Sequence, residues 1–183
     1  MGTEDKIEVS IATVVHEAIS QSDDLENMCT HMCQLLVAAL KIKGSAIFVL
    51  NPESQELEIL TSSGLSISYL NKGPVLNTKS IGDSIKGIPV IIRDITQSDK
   101  LQYPENARME GIGAIASLPI KFKGSVVGAL RLYHYEVWEL SENDVQLLQC
   151  LSDSIGMAMT CARLLNALQT VKEAVTDIHS VWL

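Results

Sequence analysis

Two predicted β-hairpins stand between two long helical patterns, and this order constrains the fold more than any other feature of the sequence. The first hairpin spans residues 45–50 and 56–62. The second spans residues 114–121 and 125–134, and it reverses at Lys123-Gly124. A parallel sheet needs a helical crossover between its strands, and that regular alternation is missing here. We therefore expect an α+β fold, with a central antiparallel sheet and helices on both faces.

Residues 64–113, between the hairpins, form the most irregular part of the chain. Gly, Pro, Asn and Ser recur through its first half. Only short elements are predicted: helices at residues 80–86 and 104–110, and a strand at residues 90–93. Binding residues are often found in loops that a rigid scaffold holds in place, so we expect any site to involve this region.

Long helices are predicted at both ends of the sequence. One runs from about Asp23 to Leu40 with Ser22 as its N-cap, and another begins after Ser141 and meets no proline. Apolar residues repeat at spacings of four and three, as in coiled coils, in a seam before residue 22 and in the last helix. The first seam contains Ile7, Ile11, Val14 and Ala18, and the second contains Leu164, Leu168, Val171, Val175, Ile178 and Trp182. Such seams favour pairing with other helices and predict a homodimer.

Composition and charge argue against several classes of function. The formal net charge is -8, and no long run of Lys or Arg is present. A phosphate backbone or an anionic membrane would therefore be repelled. No apolar stretch approaches the roughly 20 residues that span a bilayer, and acids occupy the start of the sequence where a secretory signal would be basic and then apolar. We expect a cytoplasmic protein without nucleic-acid or membrane partners.

Three stretches, taken in order, carry a resemblance to a known family. They are residues 91–104, residues 107–112 and, most specifically, residues 118–130 with the sequence LPIKFKGSVVGAL. Together they resemble the GAF domains, which are small-molecule-sensing or dimerising modules of signalling proteins. The resemblance implies a GAF/PAS-like sheet of about six strands. It also implies that the first and last helices pack on one face, and that a pocket lies on the other face under residues 64–113.

The resemblance also divides the chain and suggests its function. It implies an N-terminal dimerisation helix at residues 1–21, a GAF-like sensory domain at 22–165 and a coiled-coil-like helical extension at 166–183. The hypothesis is a non-catalytic signalling module that binds an unidentified small molecule and acts through paired terminal helices. A downstream output domain or signalling partner would receive the signal. A constitutive dimerisation module without a ligand is the alternative.

Motifs of the liganded GAF subfamilies are incomplete in this sequence. Asn71-Lys72 matches part of the cyclic-nucleotide pattern, but Phe122 is not followed by Asp-Glu. No cysteine lies between Cys33 and Cys150, and residues 94–96 read Asp-Ile-Thr instead of Asp-Ile-Pro, so a covalent bilin is not supported. A free methionine sulfoxide reductase type of GAF enzyme would need reactive cysteines around the pocket, and that stretch has none. We therefore expect no catalysis.

The cysteines and histidines also favour structural roles. All four cysteines, Cys29, Cys33, Cys150 and Cys161, fall on predicted helices, where core packing is favoured over a zinc site because no Cys-x-x-Cys turn is present. In a reducing compartment they stay as free thiols. His134 would be the candidate for a haem ligand, but an ordinary histidine at a strand end is the preferred interpretation.

Arg131 is the main candidate for ligand binding, because it lies inside a predicted strand among apolar residues. A two-residue reversal at the hairpin would pair Arg131 with the small Ala116 and leave space beside the cation. Tyr133 lies on the same face as Arg131. The resemblance places three further side chains over the pocket, those of Asp94, Tyr103 and Arg108. We predict a small anionic or polar ligand there; a structural arginine that reaches a protein carboxylate such as Glu110 is the alternative.

Overall fold

The computed structural model describes residues 24–51, 53–54, 56–73 and 82–181, with the helical positions 13 and 16–18, and it describes the side chains in these ranges except at 82–83 and 176–181. The elements in chain order are α1 (Leu25–Leu40), β1 (Gly44–Leu50), β2 (Leu57–Ser63), α2 (Ile67–Leu70), α3 (Gly82–Ile85), β3 (Val90–Ile92), α4 (Pro104–Met109), β4 (Ala114–Phe122), β5 (Ser125–His134) and α5 (Glu142–Val181). Both predicted hairpins and both predicted long helices are thus present.

The strands form one antiparallel sheet in the order β2-β1-β5-β4-β3. The resemblance implied about six strands, and the described residues form five. The difference arises because the described residues between β2 and β3 form the short helices α2 and α3 and turns. Gly73, Gly87 and Pro89 interrupt the alternation that a further strand would need.

Apolar side chains cover both faces of the sheet. On one face they pack against α1 and α5, and we call this cluster the helix-side core; it includes Met32, Leu36, Ile47, Leu118, Leu130, Leu132, Leu148 and Ile155. On the other face they pack against α2, α4 and the connecting segments, and we call this cluster the cavity-side core; it includes Phe48, Leu57, Tyr69, Ile92, Ile112, Ile115, Ala129 and Tyr133. Each fully buried leucine stabilises the fold by roughly 1.5–3 kcal/mol.

The two long helices begin at different kinds of cap. Asp24, not the predicted Ser22, is the N-cap of α1, and its Oδ1 accepts a hydrogen bond of 2.9 Å from the amide of Asn27. Both a carboxylate and a hydroxyl can accept a hydrogen bond from the free amide. The carboxylate also carries a negative charge, which interacts favourably with the positive end of the helix dipole. The predicted capping box of α5 is confirmed, because Ser141 and Asp144 exchange hydrogen bonds of 3.0 Å.

Helix α5 lies directly on β4. A Cβ atom at Gly156 would come within 2.4 Å of the Lys121 carbonyl oxygen, so only glycine permits this approach. Ser152 Oγ and Gln149 Nε2 both donate to the carbonyl oxygen of Pro119, each at 2.9 Å. These contacts fix the first half of α5 on the sheet.

The second half of α5 extends beyond the sheet, and its described side chains from residue 163 to residue 175 are all exposed. They include the seam residues Leu164, Leu168, Val171 and Val175. Ala18 of the other seam is helical and fully buried in the helix-side core, whereas Ile7, Ile11, Val14 and Trp182, and the side chain of Ile178, lie outside the described residues. No helix in the described part of the chain is both long and apolar enough to cross a membrane.

Candidate functional site

Arg131 lies in the middle of the sheet, between Ala46 of β1 and Ser117 of β4. It is 3% exposed. The predicted pairing with Ala116 is wrong by one residue, because a bulge at Val127 shifts the register of the second hairpin from Lys121–Val126 to Ile120–Gly128. Ala116 therefore belongs to the helix-side core and is not part of the site.

The side chains that share a face with Arg131 are mostly small or aromatic. Ala46 and Ala129 belong to the cavity-side core. Ser117 accepts a hydrogen bond of 3.0 Å from Ser84 of α3. The ring centroid of Tyr133 is 5.6 Å from Arg131 Cζ, within the range of a cation–π contact. Arg131 therefore faces the region that covers the cavity side of the sheet.

The structure gives this buried cation no carboxylate partner within its described part. The Nε atom of Arg131 also finds no hydrogen-bond partner among the described residues. The alternative partner, Glu110, is instead paired with Lys43 at 3.2 Å. A buried charge without a partner is unfavourable by several kcal/mol, on the order of magnitude seen when ion pairs are broken.

Glu110 joins three separate segments next to the site. Its carboxylate contacts Lys43 before β1, and it accepts hydrogen bonds from both the amide (2.9 Å) and the hydroxyl of Ser66, the N-cap of α2. Burial alone would raise the pKa of Glu110. The hydrogen bonds from Ser66 and the ammonium of Lys43 together lower it by a larger amount, so the pKa lies below its usual value. The carboxylate is thus held in its charged form and ties the end of α4 to α2 and β1.

A stack of two tyrosines and a lysine stands beside Arg131. Tyr69 of α2 meets Tyr133 edge to face, with ring centroids 5.8 Å apart. Lys72 Nζ lies 3.7 Å from the centroid of the Tyr69 ring and donates to the Tyr69 carbonyl at 2.9 Å. Sequence reasoning noted Lys72 only as part of a cyclic-nucleotide pattern and did not connect it with Arg131.

The two cations and the buried hydroxyls act on one another. Burial and the neighbouring Arg131 lower the pKa of Lys72 to about 8, while Glu110 opposes the change. Burial raises the pKa of Tyr69 and Tyr133, with Arg131 opposing the rise in both. The inner end of the site therefore combines positive charge with neutral phenol groups.

A cavity of about 340 Å³ opens beside this stack. It is lined by Phe48, Glu56, Leu57, Glu58, Ile59, Leu70, Lys72, Gly73 and Tyr133. Lys72 is the cation in the wall, and Arg131 lies behind the wall next to Tyr133. Volumes of about 300–1,000 Å³ are typical of small-molecule sites.

The remaining predicted site residues lie at the border of the cavity or away from it. Asp94 Oδ1 accepts from the amide and hydroxyl of Thr96 at 2.8 and 2.6 Å, which closes a local turn and lowers the pKa of Asp94. Arg108 is exposed and pairs with Glu105 at 2.8 Å. The Tyr103 hydroxyl would be 2.6 Å from a Cβ at Gly73, so it contacts the lining segment. The structure thus brings Tyr133 and Tyr103 near the cavity, and not Asp94 or Arg108.

The cysteines divide into two groups. Cys29 and Cys33 are buried, as expected, and burial raises their pKa to about 12 and about 11. Cys150 and Cys161 are exposed on α5, so the prediction that they pack in the core is wrong for this pair. In the described part of the chain, no cluster of His, Cys, Asp or Glu could hold a metal ion. His134 Nδ1 accepts from the amide of Glu136 at 3.0 Å, and its ring stacks on Trp138.

Comparison with known proteins identifies the family. The model of the GAF domain matches residues 24–159, which is well over half of the chain. The chain belongs to the GAF domain family. GAF domains are regulatory and sensory domains of signalling proteins, and the resemblance predicted from the sequence is confirmed. No curated protein matches the sequence.

Solved structures show the same GAF fold. The GAF domain of a phosphoenolpyruvate-protein phosphotransferase from Coxiella burnetii is 16% identical, with a TM-score of 0.73 over 86% of this chain and 97% of that one. The corresponding domain from Acinetobacter is 17% identical, with a TM-score of 0.69 over 85% and 93%. Free methionine-R-sulfoxide reductase from Neisseria meningitidis, solved with its substrate, is 13% identical, with a TM-score of 0.69 over 90% and 99%. At these identities the likeness shows the fold alone.

Proposed function

We propose that this GAF domain is a non-catalytic, cytoplasmic regulatory module that binds a small anionic or polar molecule between the sheet and residues 64–113. The proposal is carried by Arg131, a buried guanidinium that has no counterion among the described residues and lies beside a cavity of about 340 Å³. Residues 74–81 of the same region contain no acidic residue, and the side chain of Asp83 lies outside the described residues. Arg131 does not line the cavity itself, so a ligand with a negative or strongly polar group would compensate its charge across Tyr133.

The signal would travel through the contacts of Glu110. Lys43 follows α1 within the α1–β1 connection, and its ammonium holds the carboxylate that also holds Ser66 at the start of α2. Ser45 Oγ in turn donates to the carbonyl of Cys33 within α1. Displacement of α2 by a ligand would therefore strain the end of α1, which shares the helix-side core with α5. The terminal helices, paired in a homodimer, would pass the change to an output domain or signalling partner.

A constitutive dimerisation module is the second candidate. The apolar seam on the exposed half of α5 favours it, because Leu164, Leu168, Val171 and Val175 are 51% to 66% exposed and repeat at coiled-coil spacing. In that case the helices would pair in the same way whether or not the cavity is filled.

A reductase-type enzyme is less well supported than either candidate. Its chemistry would need a reactive thiolate at the cavity. The lining contains no cysteine, and burial raises the pKa of Cys29 and Cys33 so that their thiolates are disfavoured. These observations support the regulatory function.

Thermal melting of the purified dimer tests the proposal. Protein purified without unfolding should melt at a higher temperature than the same protein refolded from denaturant, because a bound molecule stabilises the folded state. Arg131→Ala should abolish this difference and leave the dimer intact, while the exposed control Arg93→Ala should retain it. Asp83→Asn should also retain the difference, because in this proposal the ligand, and not Asp83, compensates the charge of Arg131. A difference of equal size in Arg131→Ala and in the unchanged protein would contradict the proposal.

A further inference from the structure

We infer that the ligand of this cavity is a small monocarboxylic acid with an apolar body, and that Lys72 binds its carboxylate. The inference rests on the proposed function, because it concerns the same cavity. It goes beyond that proposal in naming the ligand class and the residue that reads the charge. It is carried by the position of the Lys72 ammonium and by the apolar walls of the cavity.

Lys72 presents its ammonium group at the inner end of the cavity. The group lies over the Tyr69 ring, and among the described residues it donates one hydrogen bond, to the Tyr69 carbonyl. An ammonium has three donors, so two remain for a ligand in the cavity that Lys72 lines. Glu110 is near enough to act on Lys72 electrostatically, but its oxygens are already bound by Lys43 and Ser66. The inner end is therefore short of negative charge.

Arg131 strengthens this positive inner end. Burial is the main cause of the lowered pKa of Lys72, and the charge of Arg131 lowers it further, so the two cations repel each other across Tyr69 and Tyr133. A carboxylate placed at Lys72 would relieve this repulsion and accept charge-assisted hydrogen bonds. One anionic group is sufficient, because Lys72 is the one cation that lines the cavity in the described part of the chain.

The rest of the cavity fits an apolar body. Phe48, Leu57, Ile59 and Leu70 supply hydrocarbon and ring surface on the side of β1, β2 and α2. Burial of each methylene of a ligand against such surface contributes about 0.8 kcal/mol. The cavity volume of about 340 Å³ is small for a ligand site, which favours a short acid over a large amphiphile.

A second negative charge would find no partner in the cavity. Glu58 lies opposite Val49, whose side chain packs against the helix-side core, so the Glu58 carboxylate lies on the other face of the sheet, where it accepts a hydrogen bond of 2.8 Å from Asn51. The cation that lines the cavity in the described part of the chain is Lys72, and the rest of the wall is mainly apolar. A dicarboxylate with one group at Lys72 would bury its other group without a counterion, which is unfavourable. The cavity therefore selects monoanions over dianions.

Binding of the acid should take up protons near pH 8. The charged and titratable groups around Lys72 are Tyr69 on its own segment, Arg131 and Tyr133 on β5, and Glu110 after α4, while Glu56 and Glu58 line the same cavity. In the empty site the pKa of Lys72 is about 8, so about half of the molecules carry a neutral amine at that pH. A bound carboxylate favours the ammonium and raises this pKa. Affinity should consequently fall as the pH rises above 8.

Calorimetry with four compounds of one chain length tests the inference: heptanoate, heptan-1-ol, heptylammonium and heptanedioate. Heptanoate should bind more tightly than the other three. At pH 8 its binding should take up about half a proton per site, measured in two buffers of different ionisation enthalpy.

Lys72→Met should weaken the binding of heptanoate about tenfold and abolish the proton uptake. Lys72→Arg should bind heptanoate about as tightly as the unchanged protein does, but without proton uptake, since arginine does not titrate near pH 8. Lys123→Met, a control at the exposed β4–β5 turn, should behave as the unchanged protein.

The outcomes separate this inference from the proposed function. Equal binding of heptanoate by Lys72→Met and the unchanged protein, tighter binding of heptan-1-ol or heptanedioate, or no binding of any of the four would overturn the inference. If protein purified without unfolding nevertheless melts higher than refolded protein, and Arg131→Ala removes the difference, the proposed function stands without it. If that difference is also missing, both fail.

Discussion

A guanidinium in the central part of a sheet needs an anion, water or an aromatic side chain. Among the described residues, Arg131 contacts the ring of Tyr133 and forms a side-chain hydrogen bond with Tyr133, and no carboxylate pairs with it. The nearby carboxylate of Glu110 is taken by Lys43 and Ser66. At the scale of single residues, the site therefore contains one carboxylate whose oxygens are already bound, that of Glu110. It also contains two cations, Arg131 and Lys72, that have no carboxylate partner among the described residues. This arrangement is the reason to expect an anionic ligand.

Substitution of Glu110 tests the use of its carboxylate. Glu110→Gln should lower the free energy of unfolding at pH 7 by about 2 kcal/mol, because hydrogen bonds from Ser66 and the charge of Lys43 are weakened. Since the folded-state pKa of Glu110 is lowered, its contribution is present above the usual glutamate pKa and is lost as the pH falls through the folded-state value. Urea unfolding at neutral and acidic pH measures both effects.

The exposed pair of Glu105 and Arg108 supplies the control for that measurement. Glu105→Gln removes a carboxylate from a solvent-exposed ion pair, so it should change the free energy of unfolding by less than about 1 kcal/mol. An effect of Glu110→Gln no larger than that of Glu105→Gln would show that the three-segment contact does not stabilise the domain.

Thiol reactivity tests the division of the cysteines. Cys29 and Cys33 are buried and have raised pKa values, so they should react with a disulfide reagent at pH 8 only after unfolding. Cys150 is exposed and should react in the folded protein. Cys150→Ser should therefore remove one rapidly reacting thiol, and Cys33→Ser should remove none. Rapid reaction of Cys33 in folded protein would contradict the burial described for α1.

At the scale of elements, the contact between α5 and β4 sets the position of the long helix. Gly156→Ala should lower the free energy of unfolding by about 2 kcal/mol, because the added methyl group overlaps the backbone of Lys121 and outweighs the better helix propensity of alanine. Chemical denaturation measures the change. Met157→Ala, at the exposed next position, should have a much smaller effect. Equal effects of the two substitutions would mean that the helix is not held so closely.

Local patterns in the sequence predicted the elements better than the relations between them. Turn residues and alternating apolar positions were sufficient to locate β1, β2, β4 and β5. The register at Arg131 could not be predicted, because nothing at Val127 distinguishes a bulged residue from an ordinary strand residue. The error placed Ala116 in the site, although it faces the long helices.

The role of Lys72 could not be predicted either, because it depends on contacts between distant segments. The lysine reaches Arg131 only through the packing of Tyr69 on Tyr133, which joins α2 to β5. A sequence pattern carries spacing within an element but not such a meeting of two elements. The placement of Asp94 and Arg108 failed for a related reason, since each found a partner close by in the chain, Thr96 and Glu105.

At the scale of the whole molecule, the exposed half of α5 predicts a homodimer. Leu168→Asp with Val175→Asp should yield a monomer, because charges in an apolar seam must be desolvated on pairing. Light scattering at tens of micromolar measures the mass. The matched control Gln169→Asp with Lys172→Asp changes exposed polar positions of the same helix and should leave the dimer intact. A monomeric mass for the unchanged protein would refute the prediction.

The central claim is that a small molecule binds on the cavity side of the sheet and compensates the buried positive charge of Arg131. Native mass spectrometry of protein purified without unfolding tests it most directly, since any retained molecule adds its own mass to the dimer. We expect a mass above that of the polypeptide, which is absent after refolding from denaturant and absent in Arg131→Ala but present in Arg93→Ala. A mass equal to that of the polypeptide alone, under conditions that preserve the dimer, would contradict the claim and favour the constitutive dimerisation module.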